Sequence, residues 1–202
     1  LHPGGDGLAS LRGSENFMLD IYDHPDHVRR EMDQLDRMFC EMVDTYYRIS
    51  ISHGQRGSAG FLTWGTGKTF PIQDDTLALV SPATTREVML PSILRQARHM
   101  DHAMFHLDGP ETLDKLDLLL EAPEIHGIQW QPGAAHCEMT QWIPLMKRIL
   151  GAGKLLVIAC SPNEVEPILR EVPARGLFIW YVPARDEDEG RQIVKLAAEL
   201  TH

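Results

Sequence analysis

The stretch AMFHLDGPETLDKLDLLLEAPEIHGIQWQPG, residues 103–133, decides the fold class. Its apolar run at 103–107 predicts a strand, the amphipathic segment 111–120 predicts a helix, and residues 127–130 predict a second strand. Strand, helix and strand in this order are typical of a βα unit, in which consecutive strands run parallel. The stretch therefore predicts an α/β protein.

The same alternation extends to both sides of that stretch. Further strands are predicted at 61–64, 155–159 and 177–182, and further helices at 84–100, with a kink at Pro91, and at 139–150, 165–171 and 187–200. Apolar residues at three- and four-residue steps predict a long helix over about residues 26–50, capped by Asp23 or Asp26. Residues 1–16 contain four glycines and no apolar period, so we expect a loop-like lead-in there.

The length and the number of strands bound the architecture. A chain of 202 residues favours a single domain over 1–202. A closed (β/α)8 barrel takes about 250 residues, or about 31 for each unit, and the five predicted strands cannot close one. The chain is then the later part of a longer barrel, or one of two chains that complete each other, or an open doubly wound sheet. In each case the terminal strands expose pairing edges, which predicts a homodimer.

Composition excludes several classes of partner. Acidic residues outnumber basic ones 29 to 19, so clustered positive charge for a nucleic acid is missing. No apolar run approaches the roughly 18 residues that a membrane span needs. The chain has three cysteines, a small and odd number that argues against a disulfide framework. This number indicates a reducing compartment and a cytoplasmic location.

The strongest local signal is a His-x-Asp pair at the end of the strand at 103–107. His106 and Asp108 are two residues apart, so both side chains can point to one side. Ligands bind at the carboxyl ends of parallel strands, where an imidazole and a carboxylate offer two metal ligands or an acid/base pair. The alternative is that His106 belongs to the core and Asp108 caps the helix that begins near Glu111.

Other polar residues follow neighbouring strands. Gln73 and Asp75 come after the first predicted strand, and Asp75 could meet His106 at the same rim, although a solvated acidic loop is the simpler account. Gln129 could hydrogen-bond a polar ligand and Trp130 could wall an apolar pocket, but Trp130 could equally be a core residue.

A set of short motifs occurs in a characteristic order along about two thirds of the chain. Its members are Trp64 with Gly67-Lys68, Gln73 with Asp75, Ser81-Pro82, Pro91, residues 105–110 (FHLDGP), residues 128–133 (IQWQPG), Gly153-Lys154 and residues 175–179. Taken together, the set resembles the uroporphyrinogen decarboxylase superfamily. It is most similar to the branch labelled trimethylamine corrinoid proteins or uroporphyrinogen-decarboxylase-like proteins.

The resemblance implies a (β/α)8 TIM barrel of which this chain forms the last five βα units. Zinc-dependent methyltransferases of that superfamily move methyl groups between corrinoid proteins and thiols, and hold Zn²⁺ with a His-x-Cys pair and a later cysteine. Here His106 matches the histidine, but Asp108 stands at the second position and no cysteine follows near the last strand. A carboxylate makes such a site harder than a thiolate does.

The resemblance and the residues together predict a small-molecule site. His106, Asp108 and Asp75 are the predicted catalytic residues, and His106 and Asp108 the predicted Zn²⁺ ligands. The predicted substrate-binding residues are Gln129, Trp130, Trp64 and Gln73. The expected activity is corrinoid-linked methyl transfer on a small molecule, with a corrinoid protein as partner, or decarboxylase-like chemistry. The alternative is a non-catalytic small-molecule or corrinoid-binding barrel of the same superfamily.

Overall fold

The computed structural model describes residues 3–60 and 63–201. The chain divides into two compact units, Leu1–His126 and Gly127–His202, and each is described by itself. The predicted strand at 61–64 falls partly on residues 61 and 62, which lie outside the described residues.

The first unit begins with three consecutive helices. They are α1 (Gly4–Arg12), α2 (Ser14–Asp23) and α3 (Pro25–Ser52). The loop predicted over residues 1–16 is therefore wrong for 4–12 and 14–16. Glycine disfavours an isolated helix, but Gly4, Gly5 and Gly7 are buried in α1, where the missing side chains allow close packing.

Helix α3 confirms the long amphipathic helix predicted over residues 26–50. Val28, Met32 and Phe39 are among the residues of its buried face. Pro25 occupies the first turn, where its missing N–H costs nothing. The predicted capping role of Asp23 or Asp26 is wrong, because His24 precedes the helix and no side chain caps it.

Four strands of the first unit follow α3. They are β1 (Gly57–Gly60) and β2 (Thr63–Thr66), which form an antiparallel pair, and β3 (Thr69–Gln73) and β4 (His102–Asp108), which form a parallel pair. The strand predicted at 61–64 overlaps β2 at residues 63 and 64, whereas β1 was not predicted and β3 was missed. Pro71 inside β3 explains the error, since proline cannot donate to a ladder and argues against a strand.

The connection from β3 to β4 is largely helical. It comprises a 3-10 turn at Asp75–Leu79, α4 (Pro82–Thr84), a π-helical turn at Thr85–Met89 and α5 (Leu90–His99). The interruption predicted at Pro91 takes the form of that wide turn, because proline lacks an N–H for the regular α-helical bond. After β4, a 3-10 turn at Pro110–Lys115 leads into α6 (Leu116–Glu121).

The second unit repeats strand and helix three times. Its elements are β5 (Gly127–Gln131), α7 (Ile143–Gly151), β6 (Leu155–Ala159), α8 (Val165–Glu171), β7 (Leu177–Tyr181) and α9 (Glu187–Thr201). Both β5–β6 and β6–β7 are parallel pairs. An α/β fold with parallel strands that alternate with helices is therefore confirmed. Among the described residues, no helix combines the length and the apolarity that a bilayer crossing requires.

Candidate metal centre

The carboxyl end of β4 carries two of the predicted site residues on one face. His106 is the register partner of Gln73 in the parallel pair β3–β4. Asp108 lies two residues further along β4, so its side chain leaves the strand on the same side as that of His106. Phe105 and Leu107, which point the opposite way, are fully buried. Their burial sets the register of β4 and thereby presents His106 and Asp108 together.

Asp75 completes a group of three ligand-bearing side chains. Its carboxylate, the imidazole of His106 and the carboxylate of Asp108 each offer an atom, and these atoms all lie within 4.8 Å of one another. His106 and Asp108 are half-buried, and Asp75 is exposed. The structure thus brings together the three residues that were predicted to be catalytic. The helix-capping alternative for Asp108 is wrong, because Gly109 precedes the following 3-10 turn and no side chain caps it.

The donor set of this triad fits a divalent cation. Imidazole nitrogen and carboxylate oxygen both bind Zn²⁺ at about 2.0–2.2 Å, and catalytic zinc sites have three protein ligands and one open position. In a tetrahedral site such ligand atoms are roughly 3.4 Å apart. Side-chain rotations that draw the ligand atoms together by up to about 1.4 Å would bring them to this spacing.

Asp6 of α1 is a functional candidate that the sequence analysis missed. Its Oδ1 accepts the backbone N–H groups of Asp75, at 2.8 Å, and of Thr76, at 3.2 Å. Its Oδ2 accepts from Nε2 of Gln73 at 3.2 Å, and the same Nε2 lies 3.4 Å from Oδ2 of Asp75. The only sequence signal for this role is an acid set among glycines (GGDG, 4–7), a pattern that more often marks a loop.

Asp74, the residue before Asp75, is a buried carboxyl group. Its Oδ2 accepts the backbone N–H of Gly5 at 3.2 Å, and its Oδ1 accepts from the hydroxyl of Thr76. Burial raises the pKa of Asp74 to about 8, and the negative charge of Asp6 adds to that rise. The group is therefore mostly protonated near neutral pH, and it joins α1 to the end of β3 without a buried charge.

A polar depression of about 350 Å³ adjoins Asp75. Its polar wall includes Asp6, Ser10, Ser14, Gln73 and Asp75. Hydroxyl, amide and carboxylate groups in such a depression can hydrogen-bond a small polar molecule. Gln73 is thus placed beside the triad, where it was predicted to bind substrate.

Trp64 lies on β2, and its side chain is 59% exposed. The neighbouring Gly65 packs against Thr69 and His102, which begin β3 and β4. The triad lies at the carboxyl ends of β3 and β4, so the structure does not bring Trp64 to it.

Gln129 and Trp130 belong to β5 in the second unit. Gln129 is buried and donates from Nε2 to the carbonyl oxygen of Trp130 at 3.2 Å. Trp130 is fully buried with its ring centroid 5.0 Å from that of Trp142, which is the packing of a core aromatic residue. A substrate-binding role for these two residues stays a prediction.

Neither the family models nor the curated proteins nor the solved structures contain a match to this chain.

Proposed function

We propose that this chain is the metal-bearing part of a small-molecule enzyme of the uroporphyrinogen decarboxylase type, and that it takes part in corrinoid-linked methyl transfer. The observation that carries the proposal is the convergence of Asp75, His106 and Asp108 within 4.8 Å. Two of these residues form the His-x-Asp pair within residues 105–110, one of the motifs that carry the resemblance. The third comes from the loop after a different strand, as is usual in sites built at strand ends.

The position of the triad supports a barrel-like active site. In parallel α/β folds, the loops after the strands form the binding site. His106 and Asp108 are in the last three residues of β4, and Asp75 follows the end of β3. All three therefore lie at the carboxyl ends of their strands. We propose that β3 to β7 are the last five strands of a (β/α)8 barrel whose rim carries the triad.

In this proposal His106, Asp108 and Asp75 would hold Zn²⁺. The bound ion would act as a Lewis acid toward a substrate thiol, hydroxyl or water. Two carboxylates donate less charge than two thiolates, so this donor set favours harder substrate atoms than a cysteine-rich site would. The depression next to Asp75 would receive the substrate, with Gln73 and Ser10 as hydrogen-bonding groups.

A non-catalytic binding protein of the same superfamily is the second candidate. Asp108 stands where the zinc methyltransferases have a thiolate, which favours a chain that kept the site and lost methyl transfer.

The two candidates, an enzyme and a binding protein, differ in catalytic turnover. Incubation of the Zn²⁺-loaded protein with methylcobalamin and a small thiol tests for it, because transfer forms an S–C bond, leaves cob(I)alamin and releases the thiol proton. Methylated thiol above the protein-free rate supports the enzyme, and its absence supports the binding protein.

The first test of the proposal is metal content. The protein is purified without a metal-affinity step and analysed for zinc beside two variants, His106→Ala and His27→Ala. His27 lies on α3, is exposed and serves as the control for loss of a surface histidine. We expect about one Zn²⁺ per chain in the parent and in His27→Ala, and none in His106→Ala. A parent chain that binds no zinc, even after incubation with the ion, would contradict the proposal.

A further inference from the structure

The side chain of Asp6 joins helix α1 to the segment that contains Asp75. The carboxylate of Asp6 receives hydrogen bonds from the backbone of Asp75 and Thr76 and from the side chain of Gln73. Asp6 and Asp75 are 69 residues apart in the chain, so this contact exists only in the folded first unit. It joins α1 to the segment that bears a ligand of the triad.

Close packing determines where Asp6 stands. A Cβ atom at Gly5 would lie 2.5 Å from Oγ1 of Thr76 and 2.6 Å from Oδ1 of Asp74. Any side chain larger than that of glycine would force the side chains of Thr76 and Asp74 to shift. Gly5 also donates its backbone N–H to Asp74. The residue before Asp6 therefore packs directly against the end of β3, which places the Asp6 side chain beside Asp75.

Asp75 needs such support more than the other two ligands do. His106 and Asp108 project from a regular strand whose alternate residues are buried. Asp75 begins a 3-10 turn after β3, and it is exposed. A metal ligand outside a regular element binds well only when its neighbours hold it in the productive geometry.

We infer that Asp6 is a positioning residue for this metal centre: it accepts the N–H groups of Asp75 and Thr76 and so holds the Asp75 carboxylate toward His106 and Asp108. The inference rests on the proposed function, because it assigns Asp6 a role through a ligand of the proposed site. Among the described residues, the group whose ligand atoms lie within 4.8 Å of one another consists of Asp75, His106 and Asp108 and does not include Asp6.

A carboxylate at this position could also be a direct metal ligand or a source of negative charge. Three substitutions at Asp6 separate the positioning role from these two. Asp6→Asn keeps an oxygen that accepts both backbone N–H groups, but it removes the charge and replaces the oxygen that accepts from Gln73 with an amide N–H donor. Asp6→Glu keeps the charge but moves it by one methylene group. Asp6→Ala removes both. Glu15→Ala is the control, since it deletes an exposed acid from the first turn of the neighbouring α2.

The readouts are the Zn²⁺ dissociation constant, from competition with a chromophoric chelator, and the visible absorption of the Co²⁺-loaded protein. We expect Asp6→Ala to bind Zn²⁺ about 10- to 100-fold more weakly, as is typical when a group that orients a ligand is lost. Asp6→Asn should bind nearly as well as the parent and keep its Co²⁺ spectrum. Asp6→Glu should bind more weakly, and Glu15→Ala should not change.

Each other result overturns the positioning role. If Asp6→Asn binds as weakly as Asp6→Ala, Asp6 is a direct ligand or a source of charge. If Asp6→Ala binds as tightly as the parent, Asp6 has no part in the site. If Asp6→Ala does not fold, the Zn²⁺ affinities of Asp6→Asn and Asp6→Glu still test the positioning role, which requires Asp6→Asn to bind more tightly than Asp6→Glu. A parent that binds no metal overturns the proposed function together with this inference. A parent whose zinc is lost in His106→Ala but retained in Asp6→Ala overturns the inference alone.

Discussion

The backbone N–H of Gly5 donates a hydrogen bond of 3.2 Å to Oδ2 of Asp74 inside the first unit. The bond joins the first turn of α1 to the residue that precedes Asp75 of the candidate triad, and the carboxyl group that accepts it is buried. The packing of α1 and the protonation of Asp74 therefore meet at one contact beside the candidate triad.

The raised pKa of Asp74 predicts a pH dependence of stability. In the folded protein Asp74 retains its proton up to about pH 8, whereas in the unfolded chain it loses the proton near its ordinary pKa of 3.8. Folding therefore binds a proton between these values, and the free energy of unfolding should fall as pH rises through this window. The slope contributed by this group is on the order of 1 kcal/mol for each pH unit.

Urea unfolding at pH 5, 6, 7 and 8 measures this slope in the parent and in Asp74→Asn. The amide does not titrate, so the difference in stability between the two proteins should change steadily across the series. A constant difference would show that Asp74 is ionised throughout and that its burial has little effect on its pKa.

The close contact at Gly5 predicts that Gly5→Ala is destabilising. The added methyl group would lie 2.4 Å from Cε of Met89 and 2.5 Å from Oγ1 of Thr76. Overpacking of this kind costs about 1–3 kcal/mol. Gly151→Ala is the control, because Gly151 ends α7 with open space around its Cβ position. Denaturant unfolding should show a loss for Gly5→Ala alone, and equal stabilities would refute the packing argument.

Replacement of Asp108 by cysteine should strengthen zinc binding. The change creates a His-x-Cys pair on β4, and a thiolate is the softer ligand that Zn²⁺ prefers. We expect the Zn²⁺ affinity of Asp108→Cys to rise on the order of tenfold. The Co²⁺ form should gain a sulfur-to-metal absorption band in the near ultraviolet.

Asp114→Cys serves as the comparison for that experiment, since Asp114 is exposed on the 3-10 turn after β4 and outside the triad. If both cysteine variants gain the same affinity and the same band, Asp108 does not contribute a ligand.

Two cysteines of the second unit should differ in reactivity. Cys137 is exposed, whereas Cys160 is buried. Burial raises the pKa of the Cys160 thiol to about 12, with a smaller contribution from the charge of Glu164. Alkylation with iodoacetamide at pH 8, followed by mass spectrometry, should modify Cys137 and leave Cys160 intact until urea is added. Equal rates at the two sites would contradict the burial of Cys160.

The alternation of strands and helices was predictable from the sequence because its signal is local. Apolar runs such as those at Leu155–Ala159 and Leu177–Tyr181 lie between amphipathic segments, and each element can be recognised from its own residues. The exception is β3, where Pro71 hides the strand. Its place follows from pairing with β4, which lies about 30 residues later.

In the candidate site too, the local features were predictable from the sequence and the long-range contacts were not. His106 and Asp108 share a strand, so their spacing of two was enough to predict that they share a face. Asp75 could be proposed as their neighbour because parallel strands end at one edge of a sheet. Asp6 could not be found, since glycine-rich residues predict a loop and its bonds join groups 67 to 70 residues apart. The sequence by itself determined the fold class and the His-x-Asp pair, whose signals are local periodicities. Only the tertiary structure decided that α1 folds onto the end of β3 and brings Asp6 to Asp75, because that contact depends on packing between distant parts of the chain.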